Sequence, residues 1–207
     1  MTPEVCVIRT GSANLASVVA ALRRIGASVR ITTDPDVVRG AERLVLPGVG
    51  AFGAAMDRLR QEGLVPAIRD HVNAERPFLA ICLGLQLLGP SSEESPSVAG
   101  LGLVDTPVTR FPDGLIVPQL GWNLVEPSAG CRLLQRGYAY YANSYRMLSA
   151  PSNWQGAVSV HGAPFVAALE KGPMLACQFH PELSGAWGKA LLERWLEASA
   201  DVGAVSC

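Results

Sequence analysis

No apolar run in this 207-residue chain is long enough to span a bilayer. Its first residues, Met-Thr-Pro-Glu, lack the basic stretch and apolar core of a signal peptide. Neither sign of charge is in excess: 17 Lys and Arg against 18 Asp and Glu leave a net charge of −1. That balance argues against a nucleic-acid groove or a polybasic membrane patch. Cysteine is sparse, with five residues at 6, 82, 131, 177 and 207 and no Cys-x-x-Cys pair. An odd, scattered set argues against a disulfide framework or a zinc knuckle and fits a reducing cytoplasm. Internal repeats and linker-like stretches are also missing. One domain over residues 1–200 is expected, followed by a frayed tail at 201–207.

What is present is alternation. An apolar strand at 5–8 precedes a helical stripe at Leu15, Val18, Val19, Leu22 and Ile25, which Gly26 ends. Strands follow at 28–32 and 44–46, helices at 54–60 and 64–75, and a strand at 78–81. This order predicts an α/β fold with a mostly parallel central sheet flanked by helices. The strand C-termini, carrying Gly11, Gly48 and Cys82, then share one edge. From residue 101 the pattern changes to short runs at 108–111, 115–117, 138–141, 157–160, 165–169 and 175–179. These read as antiparallel strands added to the sheet, closed by a helix at 186–196, while 91–99 reads as an exposed loop.

The segment Arg76-Pro-Phe-Leu-Ala-Ile-Cys82-Leu-Gly84-Leu-Gln86 carries chemistry. A thiol at a sharp strand-to-helix turn is pushed out of the sheet towards backbone N–H donors. A free cysteine closing an apolar run is as often inert core, so the segment alone leaves both readings open. A nucleophile needs a base, and the chain has three histidines. His71 is expected on a solvated helix surface, and His161 in a hairpin turn. His180 ends a strand and opens His180-Pro181-Glu182. Pro181 drives His180 into an extended conformation, and residues i and i+2 of extended chain face the same way. Glu182 can then hold one ring nitrogen and leave the other to work on a thiol. A plain His–Glu contact capping the last helix is the rival reading. Leu83 N–H at the elbow, and a second donor from the Pro47-Gly48-Val49-Gly50 turn, are candidates for an oxyanion hole. That turn is equally readable as a simple tight turn.

Together these residues resemble the class I, triad-type glutamine amidotransferase family, through Pro-Gly-Val-Gly at 47–50, Cys-Leu-Gly-Leu-Gln at 82–86 and Phe-His-Pro-Glu-x-Ser-Gly at 179–185. Gly11, Asn14, Leu-Pro-Gly-Val-Gly-Ala-Phe-Gly at 46–53, Val-Pro-Gln-Leu-Gly-Trp-Asn at 117–123 and Tyr-Ala-Asn-Ser-Tyr at 141–145 resemble one branch of it, the glutaminase subunits of imidazole glycerol phosphate synthase. The resemblance implies a flavodoxin-like fold, no cofactor and no metal. It assigns Cys82, His180 and Glu182 to catalysis, and Leu83 with Gly48, Val49 and Gly50 to the oxyanion hole. Gln86, Asn143, Ser144 and Tyr145 would bind glutamine. The implied partner is a (β/α)₈-barrel cyclase in a heterodimer that receives the ammonia. Another ammonia-using synthase, or a stand-alone cysteine amidohydrolase, are the alternatives. Three departures from the family pattern are expected near the site mouth and partner face. Arg9-Thr10 replaces Asp-Tyr, Gln119-Leu120 replaces His-Met, and Leu183 replaces the lysine after His-Pro-Glu.

Overall fold

The computed structural model describes residues 2–10 and 15–203, so Gly11 and Asn14 lie outside the described residues. The first half alternates as β1 (Glu4–Ile8), α1 (Leu15–Arg24), β2 (Ser28–Thr32), α2 (Pro35–Gly40) and β3 (Leu44–Gly48). It continues through α3 (Phe52–Gln61), α4 (Leu64–Asn73), β4 (Phe78–Cys82) and the short α5 (Leu83–Leu87). The second half contributes β5 (Val108–Arg110), β6 (Gln119–Pro127), β7 (Gly137–Asn143), β8 (Tyr145–Met147), β9 (Gln155–His161), β10 (Ala163–Lys171) and β11 (Met174–Cys177). A 3₁₀ turn, Pro181–Leu183, then leads into α6 (Gly185–Gly203).

A nine-stranded sheet runs in the order β2-β1-β3-β4-β11-β10-β9-β6-β7, with β5 and β8 paired separately. The five strands from β2 to β11 are mutually parallel. From β10 to β7 the pairings are antiparallel. The apolar runs of β1, β3, β4 and β11 are buried on both faces, while the edge strand β2 is largely exposed. Cys6, Ile8, Leu44, Leu46, Phe78 and Ala80 join one core with Phe52, Met56, Leu59 and Ile68. Their alternates Val5, Val7, Val45, Leu79 and Ile81 join the other with Val18, Leu22, Leu191 and Trp195. The period of two therefore sends successive residues into opposite helix-covered layers. Trp195 clamps α6 to the sheet, its Nε1–H donating to the carbonyls of Phe78 and Pro173 at 3.2 and 3.1 Å.

The structure differs from the sequence expectations in places. The expected strand at 115–117 does not form, and Ile116 is exposed. Pro118 has no N–H for a ladder, and the strand begins one residue later, with Gln119 opposite Asn143. The brief helix α2 starts at Pro35 under an Asp34 cap, whose carboxylate accepts from Asp36 N–H. His71 is fully buried, not solvated. It lies one turn past Ala67 and Ile68, on the face of α4 that packs inward. α6 runs into the expected tail, and residues 204–207 lie outside the described residues. Among the described residues no helix is long and apolar enough to cross a membrane.

Candidate active site

β4 ends on Cys82 with φ 53° and ψ −107°, a positive-φ conformation rare for a side-chain-bearing residue. Such backbone costs on the order of 1–3 kcal/mol and persists only where the surroundings over-determine it. Here β4 is bonded in parallel to β3 on one side and β11 on the other, with Gly48 opposite Cys82. Gly84 lets the elbow press onto β3, because a Cβ there would lie 2.1 Å from the Leu46 carbonyl oxygen. Leu83 opens α5, where a first-turn N–H has no acceptor within its own helix. α5 is only five residues long, so its dipole is a small contribution beside the backbone geometry. Gly50, at φ 103°, turns the chain after β3 towards the same space.

His180 reaches Cys82 from the neighbouring strand end. Its backbone N–H donates to the Tyr140 carbonyl at 2.8 Å, and its own carbonyl accepts from Ser184 Oγ at 2.6 Å. Its Nδ1 lies 2.9 Å from Glu182 Oε1, and both side chains are buried. The pairing is as expected, but its backbone origin is not. Only His180 is extended, while Glu182 sits inside the 3₁₀ turn that Pro181 starts. The tight turn, rather than strand alternation, brings the carboxylate back over the ring. Burial alone would lower the His180 pKa, but hydrogen bonding to Cys82 and Glu182 outweighs it and raises the value to about 10. The Glu182 carboxylate thereby favours the protonated ring.

Cys82 and His180 open into a cavity of about 270 Å³ that also takes Val49, Gly50, Leu83 and Gln86 into its wall. Asn143, Ser144 and Tyr145 form the far side. The cavity thus gathers the expected residues, apart from Gly48 and Glu182, which meet His180 from behind, in a narrow crevice with Val49. Gln86 donates through Nε2 to the Tyr145 carbonyl and to Gln178 Oε1, each at 3.1 Å. Asn143 Nδ2 donates to the same Tyr145 carbonyl at 3.0 Å, leaving Asn143 Oδ1 buried without a protein partner.

Sequence reasoning missed two residues here. Glu94 lines the cavity from the loop expected to be merely exposed, its Oε2 accepting from Phe52 N–H at 2.7 Å. Gln178 is fully buried, with Nε2 3.8 Å from Cys82 Sγ. Nothing in a Ser- and Pro-rich loop or an apolar strand signals either position. Of the residues at the three departures, Arg9 is exposed, Leu183 is 41% exposed and Leu120 is 68% exposed. Gln119, by contrast, is buried opposite Asn143. Leu120, Leu183 and the half-exposed Trp122 give the protein an apolar face beside His180. Trp122 stacks edge-on against Tyr140, whose strand position bridges to His180.

The other described cysteines are unsuited to reaction. Burial pushes the Cys6 thiol up to about 11, Cys177 well above its ordinary value, and Cys131 upward as well. Cys6 lines a larger cleft of about 840 Å³ with Arg30 and Arg43, where it has no histidine beside it. Cys207 lies outside the described residues.

A strained cysteine at a central strand end, beside a carboxylate-held histidine, is an arrangement suited to acyl transfer through a thioester. The class-I glutamine amidotransferase family is matched over residues 6–198, and this chain belongs to that family. Imidazole glycerol phosphate synthase subunit HisH of Escherichia coli K12 is 46% identical over 199 residues, covering 94% of this chain and 99% of that protein. The same-named subunit of Yersinia pestis is 43% identical over 200 residues, covering 94% and 99%. Among solved structures, a glutamine amidotransferase shares the fold at a TM-score of 0.76 and 19% identity, covering 95% of this chain and 98% of that one. A putative GMP synthase protein from Thermoplasma acidophilum does so at 0.72 and 17%, covering 99% and 98%.

Proposed function

We propose that this chain is the glutaminase subunit of imidazole glycerol phosphate synthase, supplying ammonia to a cyclase in histidine biosynthesis. The observation that carries the chemistry is the strained Cys82 sharing one cavity with the Glu182-held His180. The 46% identity to the E. coli subunit supports this synthase over other ammonia users.

Cys82 sulfur attacks the glutamine carboxamide carbon, and the oxyanion is held by Leu83 N–H and a donor from the Gly48–Val49–Gly50 turn. His180 gives its proton to the departing nitrogen as the C–N bond breaks, releasing ammonia and leaving a glutamyl thioester. The ring, now neutral, takes a proton from water as the water attacks the thioester. Glutamate leaves, and the proton restores the resting site. Glu182 stabilises the imidazolium and fixes the ring. Gln86, Asn143, Ser144 and Tyr145 hold the amino-acid end of the substrate, and the Glu94 carboxylate faces its ammonium.

Free ammonia in neutral water is largely protonated and useless as a nucleophile. The product therefore has to pass directly to a partner, a (β/α)₈-barrel cyclase in a heterodimer with lyase activity overall. The apolar face of Leu120, Trp122 and Leu183 beside the site suits that docking. Leucine at 183, where the family pattern has lysine, adds to that apolar face. Among the described residues the cysteines at 6, 82, 131 and 177 are free, which supports a cytoplasmic location.

The test is Cys82→Ala in the reconstituted complex. Glutamine-dependent synthesis is expected to fall to background while synthesis from added ammonium salt stays at the wild-type rate. Retained glutamine-dependent turnover would remove Cys82 from the nucleophile role. Fast glutaminase activity of the chain alone, unaffected by the cyclase, would favour the stand-alone hydrolase.

A further inference from the structure

Gln178 is not part of the mechanism above, yet it is the side chain that meets the sulfur from the side of β11. Its backbone N–H donates to the Ala167 carbonyl at 2.8 Å, and it follows Cys177, which is in register with Ile81. The residue after β11 is thereby set beside the residue that ends β4. Its side chain is fully buried.

The orientation of its amide is fixed by a chain of donors. The Tyr145 backbone carbonyl can only accept, so the Gln86 atom 3.1 Å from it must be the NH₂ group. That same NH₂ lies 3.1 Å from one end of the Gln178 amide, which must therefore be the carbonyl oxygen. The Gln178 NH₂ is left pointing at Cys82 Sγ, 3.8 Å away. Neither glutamine can flip without setting donor against donor or acceptor against acceptor in a buried site.

We propose that Gln178 is a positioning residue for the nucleophile, its NH₂ donating to Cys82 Sγ in an orientation that Gln86 and the Tyr145 carbonyl dictate. The proposal rests on the reading of Cys82 as the nucleophile. A donor on the sulfur favours the thiolate over the thiol and holds it at one rotamer. The relay also ties the sulfur to the strand segment that faces the substrate, because Tyr145 carries both the cavity wall and the carbonyl that anchors the chain of amides. Sulfur position and substrate position are therefore set by one connected network.

The experiment compares wild type, Gln178→Met and Gln178→Glu in the complex with the cyclase. Methionine keeps the length and removes the donor. Glutamate keeps the shape and turns a carboxylate towards the sulfur. Three readouts are taken: kcat and KM for glutamine, synthesis from ammonium salt, and the pH dependence of iodoacetamide alkylation followed by mass spectrometry on the Cys82 peptide. Gln178→Met is expected to lower kcat on the order of 10- to 100-fold, the worth of one hydrogen bond to a charged group, with KM within about threefold. The midpoint of Cys82 alkylation moves to higher pH, and Gln178→Glu moves it further. Ammonia-dependent synthesis stays unchanged. Co-purification with the cyclase reports folding, and should the methionine variant fail there, the isosteric glutamate variant decides the matter on its alkylation midpoint. A wild-type midpoint in the folded variants, or a loss confined to KM, overturns the proposal. If Cys82→Ala keeps glutamine-dependent activity, the nucleophile assignment fails first. If that variant is inactive and Gln178→Met is not impaired, only the positioning role fails.

Discussion

The buried His71 makes stability depend on acid in a way that can be measured apart from catalysis. Its Nε2 lies 2.9 Å from the Pro77 carbonyl, which fixes the Nε2–H tautomer, and Nδ1 has no partner in the core. Protonating Nδ1 would place a charge against Phe78, whose ring centroid is 6.3 Å away. Burial is the main cause that lowers the pKa from 6.5 to about 4. The Arg76 charge lowers it further, and the Pro77 hydrogen bond works the other way. The unfolded chain takes up this proton below about pH 6.5 and the folded chain only near 4. Between those values the unfolded state binds more protons, so stability falls as pH drops and is level above the window. At roughly 1.4 kcal/mol per pH unit, the loss attributable to His71 reaches about 3 kcal/mol by pH 4. Urea unfolding of wild type and His71→Leu at pH 7, 6, 5 and 4.5 tests this. Carboxylate protonation is common to both proteins, so the difference between their curves isolates the histidine. The wild type is expected to lose its advantage progressively below pH 6.5. Parallel curves, or an NMR titration of the His71 ring with a midpoint near 6.5, would refute the reasoning.

Two further perturbations follow from the elbow and the apolar face. Gly84→Ala puts a methyl group 2.1 Å from the Leu46 carbonyl, so α5 must shift by about an ångström. Stability should drop by about 1–3 kcal/mol in a thermal melt and glutaminase turnover roughly a hundredfold, and near-normal turnover would show that the elbow is not held against β3. Trp122→Ala removes a side chain that is 58% exposed, so the melt should hardly move. Titration with the cyclase should nonetheless show binding weakened by roughly 2 kcal/mol, and an unchanged affinity would put the docking face elsewhere.

The parallel half was legible because β1, β3 and β4 are buried on both faces and read as apolar runs between amphipathic helices, while the edge strand β2 is largely exposed. The antiparallel half was legible in part: the runs at 108–111, 138–141, 157–160 and 165–169 fall on β5, β7, β9 and β10. Gln119–Pro127 alternates poorly, with Leu120 and Trp122 exposed and apolar where a solvated face would be polar, so its strand was missed. His71 was misplaced because Arg69, Asp70 and Asn73 beside it are polar, whereas the helical period from Leu64 through Ile68 sets its face. The cysteine, histidine and carboxylate announced themselves through turn chemistry, since a glycine two residues after Cys82 permits a close backbone approach and a proline after His180 restricts the backbone there. Glu94 and Gln178 had no such local marker. Their places depend on a loop folding back over α3 and on which strand lies beside β4, and both are tertiary facts.

The direct pairing of β11 with β4 has a consequence for how such a chain can change. Residues 88–173 leave the parallel frame after α5, and the chain returns at Met174 to the strand next door. The separation of Cys82 from His180 is thus set by the spacing of adjacent strands and is indifferent to the length of the excursion between them. The excursion carries the cavity wall at 143–145 and the Trp122 face. What is bound, and who receives the product, can be redrafted there without moving the groups that break the bond.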